Sequence, residues 1–478
     1  MGYYIQDFIP WALRGAARFG ALGVWMGSVG IPGGMAAAEV ERTRFAREIP
    51  APDDSAGGII AADLNDDGAV DLLVTVPGHI AAYATDGTKL WTREVDVAVG
   101  GQSESQGLPG HHGPGVTAGD VDGDGRTEVV FLTRDSTLHI ADGATGLDQA
   151  TARPPIPEGA ERWELAAVAD FRGTGRDEDV LLQATNKSGY RMGRYLAAYR
   201  IADLLAGKAP LWATDSFVSC AHNGARLADL DGDGRDEILG ATVLGPDGQL
   251  VVEAAPFEGH MDSVFAADVR PDVPGLEVVL LEEGSNHVQL IGGGRVLWRE
   301  ANLGSEGRGR EPQNAVIGRF GGDGGQDDGA MFIWCRSRHT RHQEPFVFDA
   351  DGKLVLTYQM DEVKPEGWTD SGVEVIHTID WTGAPRQLAC AKERHTSGDV
   401  GIFEPLGGGF VARFDDEEAD RLYVADVTGD WREEVVVLSG ITLTIYRNEA
   451  ANPQPDRPSL WSDRNYRRLK QIHNYYSP

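Results

Sequence analysis

The sequence predicts an all-β chain folded as an eight-bladed β-propeller, with seven blades as the alternative. Three observations carry that expectation. Acidic stretches of the form Asp-x-Asp-x-Asp-Gly recur along the 478 residues. With their decayed copies they return about every 50 residues, a period at which repeats stack or close into rings. Each is followed by short apolar runs and turn dipeptides such as Asp86-Gly87 and Asp247-Gly248, the mark of hairpins rather than helices. One unit then holds about four short strands, the content of one blade.

In chain order, residues 1–38 read as an export signal. Arg14 and Arg18 precede an apolar stretch from Phe19 to Ile31, and Gly-Gly-Met-Ala-Ala-Ala ends in a small-residue cleavage pattern at Ala38. The stretch is short, glycine-rich and broken by Pro32, which disfavours a membrane span, and no later run is long enough for one. Residues 39–57, with Pro50 and Pro52, form a lead-in, and residues 58–448 the propeller. In the first unit Ile59–Ala62, Leu72–Val74, His79–Tyr83 and Lys89–Trp91 are the strands. Trp91 and Trp298 end hairpins at equivalent places and should fill gaps between blades. Ile201–Leu205 carries the one short helical pattern. The tail, 449–478, should pack on the propeller, because it bears Trp461 and a basic, aromatic run from Tyr466 to Tyr476.

The acidic stretches are expected to bind Ca2+. In the fullest, Asp229, Asp231 and Asp233 stand at alternate positions and Glu237 closes the run. Oxygen-only ligands at this spacing suit a hard cation, and Gly232 and Gly234 let the backbone turn around it. Further copies are Asp63, Asn65, Asp67 and Asp71; Asp120, Asp122, Asp124 and Glu128; a weaker Asp426, Asp430 and Glu434; and a decayed Asp268 and Glu277. A formal charge of -31, from 43 basic and 74 acidic residues, argues against a nucleic-acid partner, and calcium would offset part of it. Cys220, Cys335 and Cys390 are too few and too scattered for a disulfide framework or a zinc site. A secreted or periplasmic monomer, possible at a cell surface, fits these features.

Three motifs resemble the rhamnogalacturonan lyases of polysaccharide lyase family eleven. They are Ala221-His222-Asn223-Gly224; Gly259-His260-Met261-Asp262-Ser263 with Pro271-Asp272-Val273-Pro274-Gly275-Leu276-Glu277; and Gly429-Asp430-Trp431-Arg432-Glu433-Glu434. The resemblance runs from about residue 58 to the end. It implies a calcium-rich eight-bladed propeller that cleaves an acidic polysaccharide by β-elimination at a uronic acid. The chain departs from the pattern in having no room for a β-sandwich ahead of the propeller. It also reads Asp415-Asp416-Glu417-Glu418-Ala419-Asp420-Arg421 where the family has an Asn-Gly-Thr-rich loop that helps bind substrate.

β-Elimination needs a base for the proton beside the uronate carboxylate, an acid for the leaving oxygen, and positive charge on the carboxylate, from Ca2+ or an arginine. His222, His260 and His112 stand seven or eight residues before Asp229, Asp268 and Asp120, one phase of the repeat. His222 and His260 are therefore candidate bases, and Tyr475 a candidate acid. Substrate-binding candidates are His112, Asn223, Asp262, Arg308, Arg310, His473 and Tyr476; the arginines suit a bidentate grip on a carboxylate. The alternative is a non-catalytic, calcium-stabilised propeller of the integrin-like FG-GAP kind that binds glycan or protein.

Overall fold

The computed structural model describes residues 40–50, 58–97, 115–186, 192–220, 224–253, 261–301, 309–321, 329–337, 344–368, 373, 375–392, 399–414 and 419–472. All belong to the unit Ala37–Pro478; the unit Met1–Ala36 lies outside the described residues.

Short strands gather into eight antiparallel sheets of four, lettered A, innermost, to D, outermost, and numbered as blades 1 to 8 in the order of their A strands, Gly58–Ala62, Val116–Gly119, Ala160–Ala169, Arg226–Ala228, Met261–Ala267, Pro312–Gly318, Val375–Ile379 and Arg421–Ala425. A strands of neighbouring sheets touch, including those of the first and last sheets, and shared apolar clusters join the third sheet to the fourth and the fourth to the fifth, so the eight sheets are the blades of a propeller. The B strands explain why the sequence shows unbroken apolar runs instead of alternation. Strand B of blade 8, Glu434–Ser439, is buried along nearly its whole length because neighbouring blades cover both of its faces. The D strands face solvent on one side, as in Leu250–Glu253, where only Val252 is buried.

The ring closes in a way the sequence did not suggest. Val40–Ala46, assigned above to a lead-in, is strand D of blade 8. It pairs in register with strand C of that blade, from Val40 opposite Asn448 to Ala46 opposite Thr442. The first and last strands of the ring thus share one sheet. The segment was overlooked because its partner is about 400 residues away and its own pattern is that of a half-exposed outer strand.

One contact repeats around the ring. Trp91 donates its indole N–H to the carbonyl of Gly143 in the next blade's C–D turn, at 2.6 Å. Trp298 does the same to Ala350 at 3.0 Å, as expected of these two residues, and Trp212 to Pro246 at 2.7 Å. Each ring lies where a side chain would project from a turn glycine: Gly146, Gly352 and Gly248 respectively. Phe45, on the closing strand, takes the same place against Gly87. At Gly248, φ is +76°, and an added Cβ would lie 2.6 Å from the Trp212 ring. Gly248→Ala should therefore destabilise the protein by about 1–3 kcal/mol, by overpacking and by a backbone that L-residues resist. A urea titration would read this as a lower midpoint with unchanged slope; an unchanged midpoint would refute the contact's role.

Helices are few: Ile201–Leu205, as the sequence indicated, Met360–Val363, and a C-terminal helix, Arg464–Gln471, that it did not indicate. The three cysteines are buried and free. No described helix is long and apolar enough to cross a membrane.

Candidate functional site

The acidic stretches form the A–B turns. In blade 4, strand A (Arg226–Ala228) pairs with strand B (Glu237–Leu239) so that Ala228 opposes Glu237; in blade 2, Gly119 opposes Glu128. Asp229 accepts the amides of Gly232 and Gly234 at 2.9 and 3.0 Å, and Asp120 those of Gly123 and Gly125 at 2.7 and 3.0 Å. All four glycines have positive φ, between 76° and 89°, which is why the turn spells Gly at these places. The closing glutamate accepts the amide of the second loop residue, Leu230 to Glu237 Oε2 at 2.7 Å and Val121 to Glu128 Oε2 at 3.0 Å. One oxygen each from Asp120, Asp122 and Glu128 then lie within 4.8 Å of one another, and likewise from Asp229, Asp231 and Glu237.

These two turns fit Ca2+. The donors are all oxygen, and Glu128 Oε1 is buried with no hydrogen-bond partner among the described residues. Burial, reinforced by the neighbouring loop carboxylates, pushes Glu128 and Glu237 up to about 7. A hard cation would relieve both the orphaned oxygen and the like-charge crowding. Because the folded values lie above the unfolded 4.5, the calcium-free protein binds more protons folded than unfolded between about pH 4.5 and 7. Its stability should fall as pH rises through that window. Excess calcium should remove the fall. Melting temperatures against pH, in EDTA and in calcium, check this; coincident curves would contradict a metal in these turns.

Other predicted ligands are engaged differently. Asp124 and Asp233 are held by the arginine two residues on, Arg126 at 2.6 Å and Arg235 at 2.5 Å, and among the described residues stand outside the two clusters. In blade 1, Asp63 accepts the amides of Asp67 and Gly68, Asn65 donates to Asp67, and Asp71, raised to about 6 chiefly by burial, accepts the Leu64 amide. In blade 8 the tail engages the turn: Asp426 accepts Ser459 Oγ at 2.6 Å and the Leu460 amide at 3.0 Å. Asp430 pairs with Arg432 at 2.6 Å, and Glu434 accepts the Thr428 hydroxyl at 2.9 Å while burial raises it to about 8. In blade 5, Asp268 is exposed and Glu277 Oε2 accepts two backbone amides.

The C-terminal helix lies against this end of the A strands. Asp463 caps its first turn, accepting the amides of Asn465 and Tyr466. Arg468, 1% exposed, lies 2.5 Å from Asp177 of blade 3 and 3.0 Å from Asp236 of blade 4. Arg464 reaches Asp236 at 2.8 Å, and Lys470 reaches Glu433 of blade 8 at 3.1 Å. These carboxylates also tie adjacent blades together, since Asp236 accepts the amide of Asp170 and Glu433 that of Asp380. Tyr423, on strand A of blade 8, donates to the Lys470 carbonyl at 3.0 Å, and the Ile472 side chain packs among Leu165, Ala167 and Leu227. The helix therefore lies within the ring of A strands.

The remaining candidates precede A strands in the sequence or follow the C-terminal helix. His222 and Asn223 precede strand A of blade 4, His260 that of blade 5, and His112 that of blade 2; with Arg308, His473, Tyr475 and Tyr476 they lie outside the described residues. Asp262 and Arg310 are described. Asp262 is fully buried near Cys220, whose thiol is pushed up by burial and then by the Asp262 charge. Arg310, expected to grip a sugar carboxylate, is instead buried, 3.3 Å from Glu344 and over the Phe346 ring at 5.3 Å. A buried polar cluster on blades 5 and 6 was not evident from the sequence. Gln313 donates to Glu283 at 3.2 Å, and Arg299 and Gln289 donate to Glu282 at 2.8 and 3.1 Å. The available signal was Glu282-Glu283 ending the apolar run Val278–Leu281.

Residues 63–131, which carry the A–B turns of blades 1 and 2, match the FG-GAP-like repeat. Two Bacillus subtilis (strain 168) proteins are distant relatives. Rhamnogalacturonan endolyase YesW is 28% identical over 254 residues, 43% of this chain and 38% of its own length. Rhamnogalacturonan exolyase YesX is 25% identical over 415 residues, 75% of this chain and 62% of its own length. The chain thus spans less than two thirds of either. Among solved structures the V. cholerae biofilm matrix protein Bap1 is similar in fold, with a TM-score of 0.54 at 12% identity over 87% of this chain and 92% of that one. Saccharomyces cerevisiae Sqt1 gives 0.50 at 11% identity over 84% and 99%.

Proposed function

We propose that this chain is an exported polysaccharide lyase that cleaves a uronate-containing, rhamnogalacturonan-like glycan by β-elimination. The observation that carries the reading is the 415-residue similarity to a rhamnogalacturonan exolyase, beside the histidine-bearing motifs and their order in this sequence. In this reading His222 or His260 removes the proton beside the uronate carboxylate. The electron pair forms the ring double bond, the glycosidic C–O bond breaks, and Tyr475 gives the leaving oxygen its proton. Bound in the turns of blades 2 and 4, calcium supplies charge that gathers the loop carboxylates.

In this reading the calcium of blades 2 and 4 holds the turns rather than the substrate. The histidines precede the A strands and the metal turns follow them. In the two metal-binding blades strand A is Val116–Gly119 and Arg226–Ala228, about 13 and 10 Å at the usual rise per residue. Charge on the uronate would then come from Arg308 or from a further Ca2+ near the histidine motifs.

The test is incubation of the purified, calcium-loaded chain with rhamnogalacturonan and polygalacturonate, reading ultraviolet absorbance of the unsaturated product. Absorbance should rise with rhamnogalacturonan. No product from either polymer, with glycan still retained, would favour the non-catalytic binding propeller. One feature points that way. Within the replaced loop, Asp420 accepts the Gly440 amide at 2.6 Å and Arg421 is buried, which is structural use of a stretch that contacts substrate in the family. Export rests on residues 1–38, and the N-terminus of the exported protein should begin just after Ala38.

A further inference from the structure

An eight-bladed ring encloses a channel wider than one helix. The C-terminal helix packs toward blades 1, 3, 4 and 8, through the contacts of Arg464, Arg468 and Lys470. Between it and the A strands of blades 5, 6 and 7 there remains a cavity of about 300 Å3. Val316, Ile376 and Leu469 give it an apolar wall, while Asp380, Tyr466 and Lys470 bring polar groups to it. Apolar walls with a few convergent polar atoms are the profile of small-molecule sites.

Asp380 is the group left over. It is 7% exposed; its Oδ2 accepts from Gln387 Nε2 at 3.0 Å, and its Oδ1 is buried with no hydrogen-bond partner among the described residues. It stands where Asp120 and Asp229 stand in their blades, at the end of strand A. The turn that follows, Trp381-Thr382-Gly383-Ala384-Pro385-Arg386, holds no further carboxylate, so the site is not a calcium turn. A buried carboxylate oxygen without a donor costs free energy that a ligand's donor would recover.

The neighbouring charges are committed elsewhere. Glu433 accepts from Tyr466 at 3.0 Å and faces Lys470 at 3.1 Å, Arg319 Nε donates to the Pro385 carbonyl at 3.2 Å, and Arg457 lies over the Trp431 ring at 4.2 Å. An acidic ligand would meet cations already paired, beside an unmatched carboxylate. We propose that this cavity binds a neutral polyol of monosaccharide size, one hydroxyl donating to Asp380 Oδ1 and an apolar ring face resting on Val316, Ile376 and Leu469. The site is separate from the histidine motifs and does not depend on the lyase reading.

Calorimetric titration of the calcium-loaded full chain with L-rhamnose, D-galactose, myo-inositol and D-galacturonate tests it. At least one neutral probe should bind saturably, and Asp380→Asn should weaken it roughly ten- to a hundredfold, the loss expected for a hydrogen bond to a charged group. His260→Ala should leave it unchanged, which separates this cavity from the proposed active site. Ala315→Leu, which adds bulk to the wall, should abolish binding. If that variant does not fold, Asp380→Asn decides alone. Failure of all four probes, binding of D-galacturonate only, or an affinity indifferent to Asp380→Asn would each overturn the proposal.

Discussion

Arg468→Met should cost the protein about 3–5 kcal/mol of stability, the range for removing one partner of a buried ion pair. The side chain is 1% exposed and joins Asp177 of blade 3 to Asp236 of blade 4. Methionine fills much of the same volume, so the loss would come from stranded charge, not from a cavity. The Arg468 charge overcomes burial and holds Asp177 below the usual carboxylate range. A depressed folded value stabilises above the unfolded pKa, and that contribution fades as pH falls through the folded one. The variant should therefore lose the acid-side dependence that Asp177 gives the native protein. Adding Asp236→Asn and Asp177→Asn to Arg468→Met should recover part of the loss in a urea titration. An Arg468→Met midpoint equal to the native one would show that the helix only rests on the ring.

His222→Ala and His260→Ala should each lower kcat/KM on rhamnogalacturonan by about 10²–10⁴-fold, the usual contribution of a positioned general base. Melting temperatures should barely move if these side chains serve chemistry. Their combination should cost much less than the product of the two, since groups that act on one proton transfer are not independent. A double variant with native turnover would remove both from the mechanism. A large fall in melting temperature with each would assign them to packing between blades instead.

Much of the ring was legible because blades are local. Each hairpin is written in a few residues, and Asp-Gly turns with apolar runs on either side announce it. Trp91 and Trp298 were readable for the same reason: an aromatic at a fixed place in the repeat has a fixed neighbour one blade on. What escaped the reading is nonlocal. Val40–Ala46 finds its partner at the far end of the propeller sequence. The C-terminal helix shows no apolar stripe, because Arg468 and Lys470 are buried against carboxylates supplied by three different blades. The acidic turns are intermediate. Their spacing is plain, yet whether a copy gathers three oxygens depends on what else competes for them. Arg172 reaches Asp179 and Glu178 in blade 3 at 2.8 and 3.0 Å, and Ser459 reaches Asp426 from the tail. The histidine motifs were legible as sequence, and Arg310 shows the limit of that, since nothing in Gly-Arg-Gly-Arg reveals that Glu344 and Phe346 enclose the second arginine.

The pairing of Val40–Ala46 with Thr442–Asn448 sets a timetable for biogenesis. The strand that seals the last blade leaves the ribosome ahead of the other strands of the ring and must wait for a mate made some 400 residues later. Until then the nascent chain carries an unsatisfied edge of the kind that invites aggregation. A product cut short anywhere before Thr442 can never fasten its clasp, so incomplete copies should be surrendered to proteases instead of accumulating as open rings.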